Sequence, residues 1–420
     1  MVRHHFFPFL TLLIWHLMEK YQFQDSTVRP VEKSDVLYVV RLFEISYRGG
    51  HPHPELYDEK WVQNAINGED IIWLLIEEEG EAVASGSLEL NYGDYNDQLG
   101  LIGRLVTHPG RSSGGLGGRL GSRIINALVS AAGDNVECVL SNSRTAHRVS
   151  QRFLEDAKLI AAGFLPHFTV ADEKRESLVL YTNLYDEGRM FRSRKLPQVI
   201  PQVAPLADYV LSAMHLPPAL GIVNDCPPYS DNANCDLPSA SRSSLAQLRQ
   251  IKLERPGDPL VFDRVSLNYG MPYLTRKNIS YLTVVDNQET VGAIGYRVDS
   301  VNQVFKLTEL IFSRAEIVAH LCAKAVDEAR RQRALIIEVD LSAYDARIQQ
   351  TFLNYGFYPV AYIPAMVIHN TYRLDIVKMI KLEIPYDPSG MRLTPEVRKI
   401  VSIVEKGFRS YAGTQSNSSS

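Results

Sequence analysis

The chain has 420 residues, 45% hydrophobic and 22% charged, enough for two or three domains at about 100–200 residues each. With 44 basic against 48 acidic side chains the net charge is −4, which supplies no bulk attraction to nucleic acid or to an anionic membrane. The four cysteines, Cys138, Cys226, Cys235 and Cys322, show no C-x-x-C spacing, so the reading is a cytoplasmic chain with no metal site.

Phe6 to Met18 is apolar and follows Arg3, His4 and His5, a superficial likeness to a signal peptide. It is too short to span a bilayer and has no small-residue cleavage site before Glu19, so no stable membrane insertion is expected. Residues 1–26 are read as an extension, with Met18 a natural alternative start. Val28 to Pro30 then begins a strand, and Ser34 and Asp35 are good caps for a helix running to Tyr47. A helix over Trp61 to Asn67 follows, with strands over Ile71 to Glu77, Glu81 to Asn91 and Leu99 to Thr107. After a glycine-rich turn and a helix come a buried strand, Val136 to Leu140, and a helix from Ser150 to Ala162 that Gly163 would close in the left-handed conformation. Ser177 to Asn183 is the last strand, so residues 27–185 read as a mixed α/β sheet flanked by helices.

Residues 186–258 differ. Prolines at 197, 201, 205, 217, 218, 227, 228, 238 and 256, with a polar run from Ser230 to Ser244, mark a linker holding one short helix, Pro205 to Leu216. From 259 to 388 the earlier order returns: a hairpin of Ser280–Asp286 and Thr290–Val298, a strand Lys306–Phe312, a helix Glu316–Arg333, a strand Ala334–Val339 and a helix ending at Tyr355. Gly356-Phe357 repeats Gly163-Phe164, which suggests an internal duplication. Residues 389–420 close with a helix, Pro395 to Phe408, and a Ser/Asn tail.

The stretch Leu101 to Leu128 carries the chemistry. A strand, the glycines Gly114, Gly115, Gly117 and Gly118, and a helix opening there form a cradle that aims unpaired N–H groups and the positive dipole end at an anion. A Walker loop would end in GK followed by Ser or Thr, and here the residues read GGRLGS. A dinucleotide fingerprint fails at Leu120, where its third glycine belongs, and only a reading shifted onto Gly118 and Gly121 keeps it open.

Val106, Pro109, Gly115, Leu116, Gly117 and Leu120 occupy the places of V-x-x-P and of [RQ]-x-x-G-x-[GA], with Ser112 at the arginine or glutamine position and Arg111 beside it. In this the segment resembles the signature of the GNAT superfamily of acyltransferases. Thr145, His147, Ser150 and Gln151 form T-x-H-x-x-S-Q, similar to a pattern in a subgroup of large GNAT proteins. The resemblance implies two GNAT-like domains, the second degenerate, since only Ser313, Arg314 and Ala315 separate its strand from its helix and no glycine stands there. It further implies an acyl-CoA site, for acetyl-CoA first, formed by Leu105, Val106, Thr107, Arg111, Ser112, Ser113, Gly114, Gly115, Leu116, Gly117, Gly118 and Arg119.

The activity so implied is direct N-acyl transfer to a small-molecule amine or a peptide amino group, the alternative being a non-catalytic acyl-CoA-binding or assembly protein. The family often places a glutamate base on the strand before the loop, where Leu101, Ile102 and Gly103 stand here, and a tyrosine acid four residues before the Gly-Phe glycine, here Leu159. The substitutes named for catalysis are Glu89, on the neighbouring strand, and His147, at a strand-to-helix junction. His108 reads as structural or phosphate-side, Tyr92 and Tyr95 as candidate acids, Glu309 as structural, and His51 with His53 as a loop pair short of a metal site.

Overall fold

A computed structural model describes residues 22–23, 26–51, 53–68, 70–90, 92, 97–111, 116–171, 174–230, 241–243, 263–268, 279–286, 289–369 and 371–417. They fall into two units, one of Met1–Ile160, Thr169–Gly188 and Met391–Thr394, the other of Ala161–Phe168, Arg189–Gly390 and Pro395–Ser420. The apolar N-terminal stretch Phe6 to Met18, most of the glycine-rich loop, and Tyr95 lie outside the described residues.

In the first unit the chain forms β1 (Gln22–Phe23), β2 (Ser26–Pro30), α1 (Val36–Tyr47), α2 (Glu59–Asn67), β3 (Ile71–Glu78), β4 (Glu81–Glu89), β5 (Leu99–Thr107), α3 (Leu116–Gly133), β6 (Cys138–Arg144) and α4 (Val149–Asp156). β7 (Ile160–Ala171) follows, then β8 (Lys174–Leu184). The sheet order is β1-β2-β3-β4-β5-β6-β8, antiparallel except for β5 and β6. The β3 run IIWLLI is apolar at every position because both faces of the sheet are covered. α1 and α2 pack on Trp73, Leu75 and Val106. On the other face Gly86 of β4 lets α3 approach, since a Cβ there would lie 2.6 Å from Ile124. Asp35 starts α1 in a fork with Arg29, at 2.6 and 2.9 Å, and Arg29 also holds Glu77 at 2.6 Å. Asp58 caps α2 by accepting from Lys60 N–H at 2.8 Å.

The second unit contains α5 (Asp186–Met190) in part, β9 (Gln198–Val199), α6 (Ala204–Ala213), β10 (Gly221–Ile222), β11 (Ser241–Ser243), β12 (Asp263–Ser266), β13 (Ser280–Asp286), β14 (Glu289–Asp299) and β15 (Val304–Phe312). Then come α7 (Glu316–Arg331), β16 (Ile336–Ser342), α8 (Ala346–Asn354), β17 (Tyr358–His369), β18 (Tyr372–Leu382) and α9 (Pro395–Asn417). Its sheet runs from residues 161–168 of β7 through β17, β18, β16, β15, β14 and β13 to β11, with β15 and β16 parallel. A buried ion cluster sits inside it. Lys378 of β18 pairs with Glu338 and, at 2.6 Å, with Asp340 of β16, while Lys306 of β15 reaches Glu338 at 3.3 Å. Two cations and two anions leave the cluster neutral, the condition under which such burial is tolerated.

One hydrogen-bonding register occurs in both units. In β6 and β8 Cys138 faces Leu184 and Arg144 faces Leu178; in β16 and β18 Ile336 faces Leu382 and Ser342 faces Ile376, each residue 198 positions on (138 to 336, 184 to 382). The same spacing relates the left-handed residues that follow the helices, Lys158 (φ 66°) and Gly356 (φ 86°), and those within the next strands, His167 (φ 54°) and Ala365 (φ 51°).

That register corrects the sequence reading at one place. The helix expected over Ser150–Ala162 ends at Asp156, and Gly163 is not its cap but lies inside β7, where Ala361 of β17 fills the space a side chain would need. Lys158-Leu159, not Gly163-Phe164, is the counterpart of Gly356-Phe357: Leu159 N–H donates to Leu154 C=O at 2.9 Å as Phe357 N–H does to Phe352 C=O at 3.1 Å. The position four residues before the turn is therefore Leu154, which is buried, rather than Leu159.

Candidate functional site

β5 and β6 pair in parallel from Leu99↔Cys138 to Ile102↔Ser141. β5 then continues to Thr107 and β6 to Arg144 without further pairing to each other. Two parallel strands that stop exchanging hydrogen bonds while both run on have parted, so beyond Ile102 the edge of β5 toward β6 takes no backbone pairing from it. The register between β4 and β5 shifts across Ser85 and Ser87, and Arg104 has φ 52°. This is a bulge, the device that re-aims a strand at a site. Leu105, Val106 and Thr107, expected to contact the cofactor, lie just beyond it on β5.

The turn after β5 is fixed by His108. Its backbone N–H donates to Val83 C=O at 2.8 Å, and its ring Nδ1 accepts from Gly110 N–H at 3.1 Å. A short 3-10 turn, Pro109–Arg111, leads on, and α3 opens at Leu116. Ser112, Ser113, Gly114 and Gly115 lie outside the described residues; Leu116, Gly117, Gly118 and Arg119 form the first turn of α3, whose leading N–H groups have no partner within the helix. The opening between β5 and β6 thus leads to a helix N-terminus, the combination that an extended amide-bearing chain ending in a phosphate would fit.

Around the opening stand charged and aromatic side chains. Glu89 of β4 is buried and accepts from the Arg104 guanidinium at 3.2 Å, while Arg104 also donates to Ser87 Oγ at 3.0 Å. The guanidinium lies over the rings of Trp61 and Trp73, 5.6 and 5.8 Å from their centroids. Arg144, at the end of β6, forms a two-bond fork with Glu176, at 2.8 and 2.7 Å. His147 is exposed before α4; partial loss of hydration, and then the charge of Arg144, hold its pKa below the ordinary histidine value.

Two other members of T-x-H-x-x-S-Q, Thr145 and Gln151, make structural hydrogen bonds. Thr145 Oγ1 donates to Ser177 C=O at 3.0 Å. Gln151, fully buried, donates to the carbonyls of Arg144, His147 and Arg392 and accepts from Thr394 N–H. The motif therefore ties Met391–Thr394 into the first unit and leaves His147 as its member turned to solvent. In the second unit Gln349 plays the same part, donating to Ser342 and Gln198 carbonyls and accepting from Ile200 N–H.

His51 sits in the connection between α1 and α2, edge-on to Tyr47 and Phe43 with centroids 4.5 and 5.5 Å away. Its Nδ1 accepts from His53 N–H at 3.0 Å. Burial, and then the nearby His53, lower its pKa to about 3, so it is neutral at physiological pH. Among the described residues there is no group of three metal-ligating side chains. Tyr92 N–H donates to Leu99 C=O at 3.0 Å, and Glu309, in the second unit, accepts from the buried Tyr281 hydroxyl. No described helix is long and apolar enough to cross a membrane.

Sequence reasoning missed Arg104, Trp61, Trp73, Arg144 and Glu176. Arg104 becomes visible only through the bulge, and the Arg144–Glu176 pair only once β6 and β8 are in register.

No family model matches the chain, and no curated protein does. Solved structures that resemble it include acetyltransferases. Ribosomal-protein-S5-alanine acetyltransferase from Vibrio fischeri is 13% identical with a TM-score of 0.33, over 40% of this chain and 96% of that one. Ribosomal-protein-S18-alanine N-acetyltransferase from Escherichia coli is 16% identical with a TM-score of 0.30, over 38% and 93%. Microcin C7 self immunity acetyltransferase MccE, in complex with acetyl-CoA and AMP, is 14% identical with a TM-score of 0.32, over 39% and 93%.

Proposed function

We propose that the first unit is an acyl-CoA-dependent N-acyltransferase of the GNAT type, with acetyl-CoA as donor and a small amine or an amino-terminal group as acceptor. The observation that carries this reading is the parting of β5 and β6 toward a glycine-rich helix start. An acyl-CoA has an arm with two amides, suited to an open strand edge, and a pyrophosphate, suited to the loop from Arg111 to Arg119. In this reading the chain is a tandem protein whose second copy kept the register of the fold and lost the loop.

Bound acyl-CoA supplies the thioester to be attacked. The strand after the bulge, Leu105 to Thr107, offers backbone amides to the developing oxyanion. The amine would replace the thiol on the acyl carbon, and the single proton that the nitrogen gives up would pass by way of the base to the departing sulfur. His147, neutral because its pKa is lowered, takes the proton from the amine. Glu89, with one oxygen held by Arg104, can assist through its other oxygen, and the Arg104–Glu89 pair with Trp61 and Trp73 forms the acceptor wall.

Leucine in place of the expected tyrosine and the occupied Glu89 favour a second reading, a non-catalytic acyl-CoA-binding protein on the same site. Thiol release measured across a panel of amines separates the two. Turnover supports the enzyme; binding of acetyl-CoA with no turnover supports the binding protein.

A further inference from the structure

The second unit has the same parting of strands and fills it. β15 and β16 pair in parallel only from Val304↔Ile336 to Lys306↔Glu338, while β15 runs to Phe312 and β16 to Ser342. Beyond Lys306 the free edge of β15 is taken by β12, antiparallel, from Asp263↔Phe312 to Ser266↔Glu309. The next residue spans the gap: Leu267 N–H donates to Thr308 C=O at 2.8 Å, and Leu267 C=O accepts from Asp340 N–H at 2.8 Å. The Leu267 side chain is fully buried. Five residues near the start of the second domain-like half, 263–267, are thus held through their backbone along β15, and Leu267 by β16 as well, as an added strand is bound at a sheet edge.

Two further features separate this opening from the first. Only Ser313, Arg314 and Ala315 stand between β15 and α7, and α7 begins with Glu316, whose charge opposes an anion at that helix start. Where β5 and β6 carry Leu101, Leu140 and Asn142, the matching positions of β15 and β16 are Lys306, Glu338 and Asp340, which make the neutral ion cluster with Lys378.

We propose that residues 263–268 are a cis-acting strand that closes the second unit's opening, taking the place which the first unit leaves for the amide-bearing arm of its donor. The comparison with the donor rests on the acyl-CoA reading of the first unit; the closure itself does not. The second unit is then a self-filled copy that takes no acyl-CoA.

Hydrogen exchange followed by mass spectrometry on the full chain, with and without saturating acetyl-CoA, tests this. The amides of Leu267 and Asp340 should exchange on the order of 100-fold more slowly than in an unstructured peptide, and acetyl-CoA should leave them unchanged while slowing exchange in residues 101–107. Exchange of residues 263–268 at the unstructured rate, or a change there on adding acetyl-CoA, overturns the proposal. Protection of 263–268 with no effect of acetyl-CoA on 101–107 supports the closure and counts against the acyl-CoA reading. In Leu267→Pro, which lacks the N–H given to Thr308, exchange at Asp340 should rise by about tenfold, the weight of one backbone hydrogen bond. An unchanged rate in that variant contradicts the bridge, and if the variant fails to fold the wild-type measurement still decides.

Discussion

His51 shows how one ring ties local packing to pH. Set against Phe43 and Tyr47 and lending Nδ1 to His53 N–H, it is kept neutral down to about pH 3. The unfolded chain protonates the same ring near its ordinary value of 6.5. Between those values the unfolded state holds the extra proton, so this residue's contribution to stability falls as pH falls from 6.5 toward 3. Urea midpoints at pH 7 and pH 4 should differ less in His51→Phe than in the wild type; equal differences would contradict the assignment. His147 is lowered in the same direction by lost hydration and by Arg144. If it takes the acceptor's proton, His147→Gln should cost about 10²–10⁴ in kcat, and the acid limb of the wild-type pH profile should lie below 6.5. A variant with unchanged kcat would remove His147 from the mechanism.

At the scale of elements, most of the order was legible in the sequence, because period-two strands and period-3.6 helices follow from which faces are covered. β3, β5, α3 and β15 fall where alternation and apolar runs put them. The Gly-Phe comparison slipped by five residues for a physical reason. The left-handed turn after α4 is made by Lys158, a non-glycine, so a search keyed to glycine moved on to Gly163, whose smallness serves a different need. There β17 comes so close that Ala361 Cα and Val360 O would each lie 2.8 Å from an added Cβ. Gly163→Ala should therefore lower stability by about 1–3 kcal/mol in denaturant unfolding; a neutral result would refute the close approach. The ion cluster of β15, β16 and β18 could not be read from the sequence, since Lys306, Glu338, Asp340 and Lys378 meet only through strand register. Lys378→Met removes the cation that Glu338 and Asp340 share and leaves the buried cluster with a net negative charge beside Lys306, which should cost about 3–5 kcal/mol, read from the same unfolding curves. A loss below about 1 kcal/mol would show that the cluster is hydrated.

Across the whole molecule, the register of β6 and β8 recurs 198 residues on in β16 and β18, while the parallel strand pairs beside them end differently. The first unit keeps an opening between β5 and β6 that leads to a glycine-rich helix start, and the second fills the matching opening with Asp263–Ser266 and Leu267. Of the candidate site, the glycine-rich start of α3 was legible as an expectation from the sequence, because close backbone approach demands glycine. Arg104, Trp61 and Trp73 were not, because a cation between two indoles arises from a bulge and from elements distant in sequence. The central claim is a single donor site in the first unit. Calorimetric titration of the full chain with acetyl-CoA tests it most directly: the expected result is one molecule bound per chain, with binding lost in Gly117→Asp, whose carboxylate would meet the pyrophosphate. No binding at millimolar acetyl-CoA, two molecules per chain, or undiminished affinity in a folded Gly117→Asp chain would contradict it.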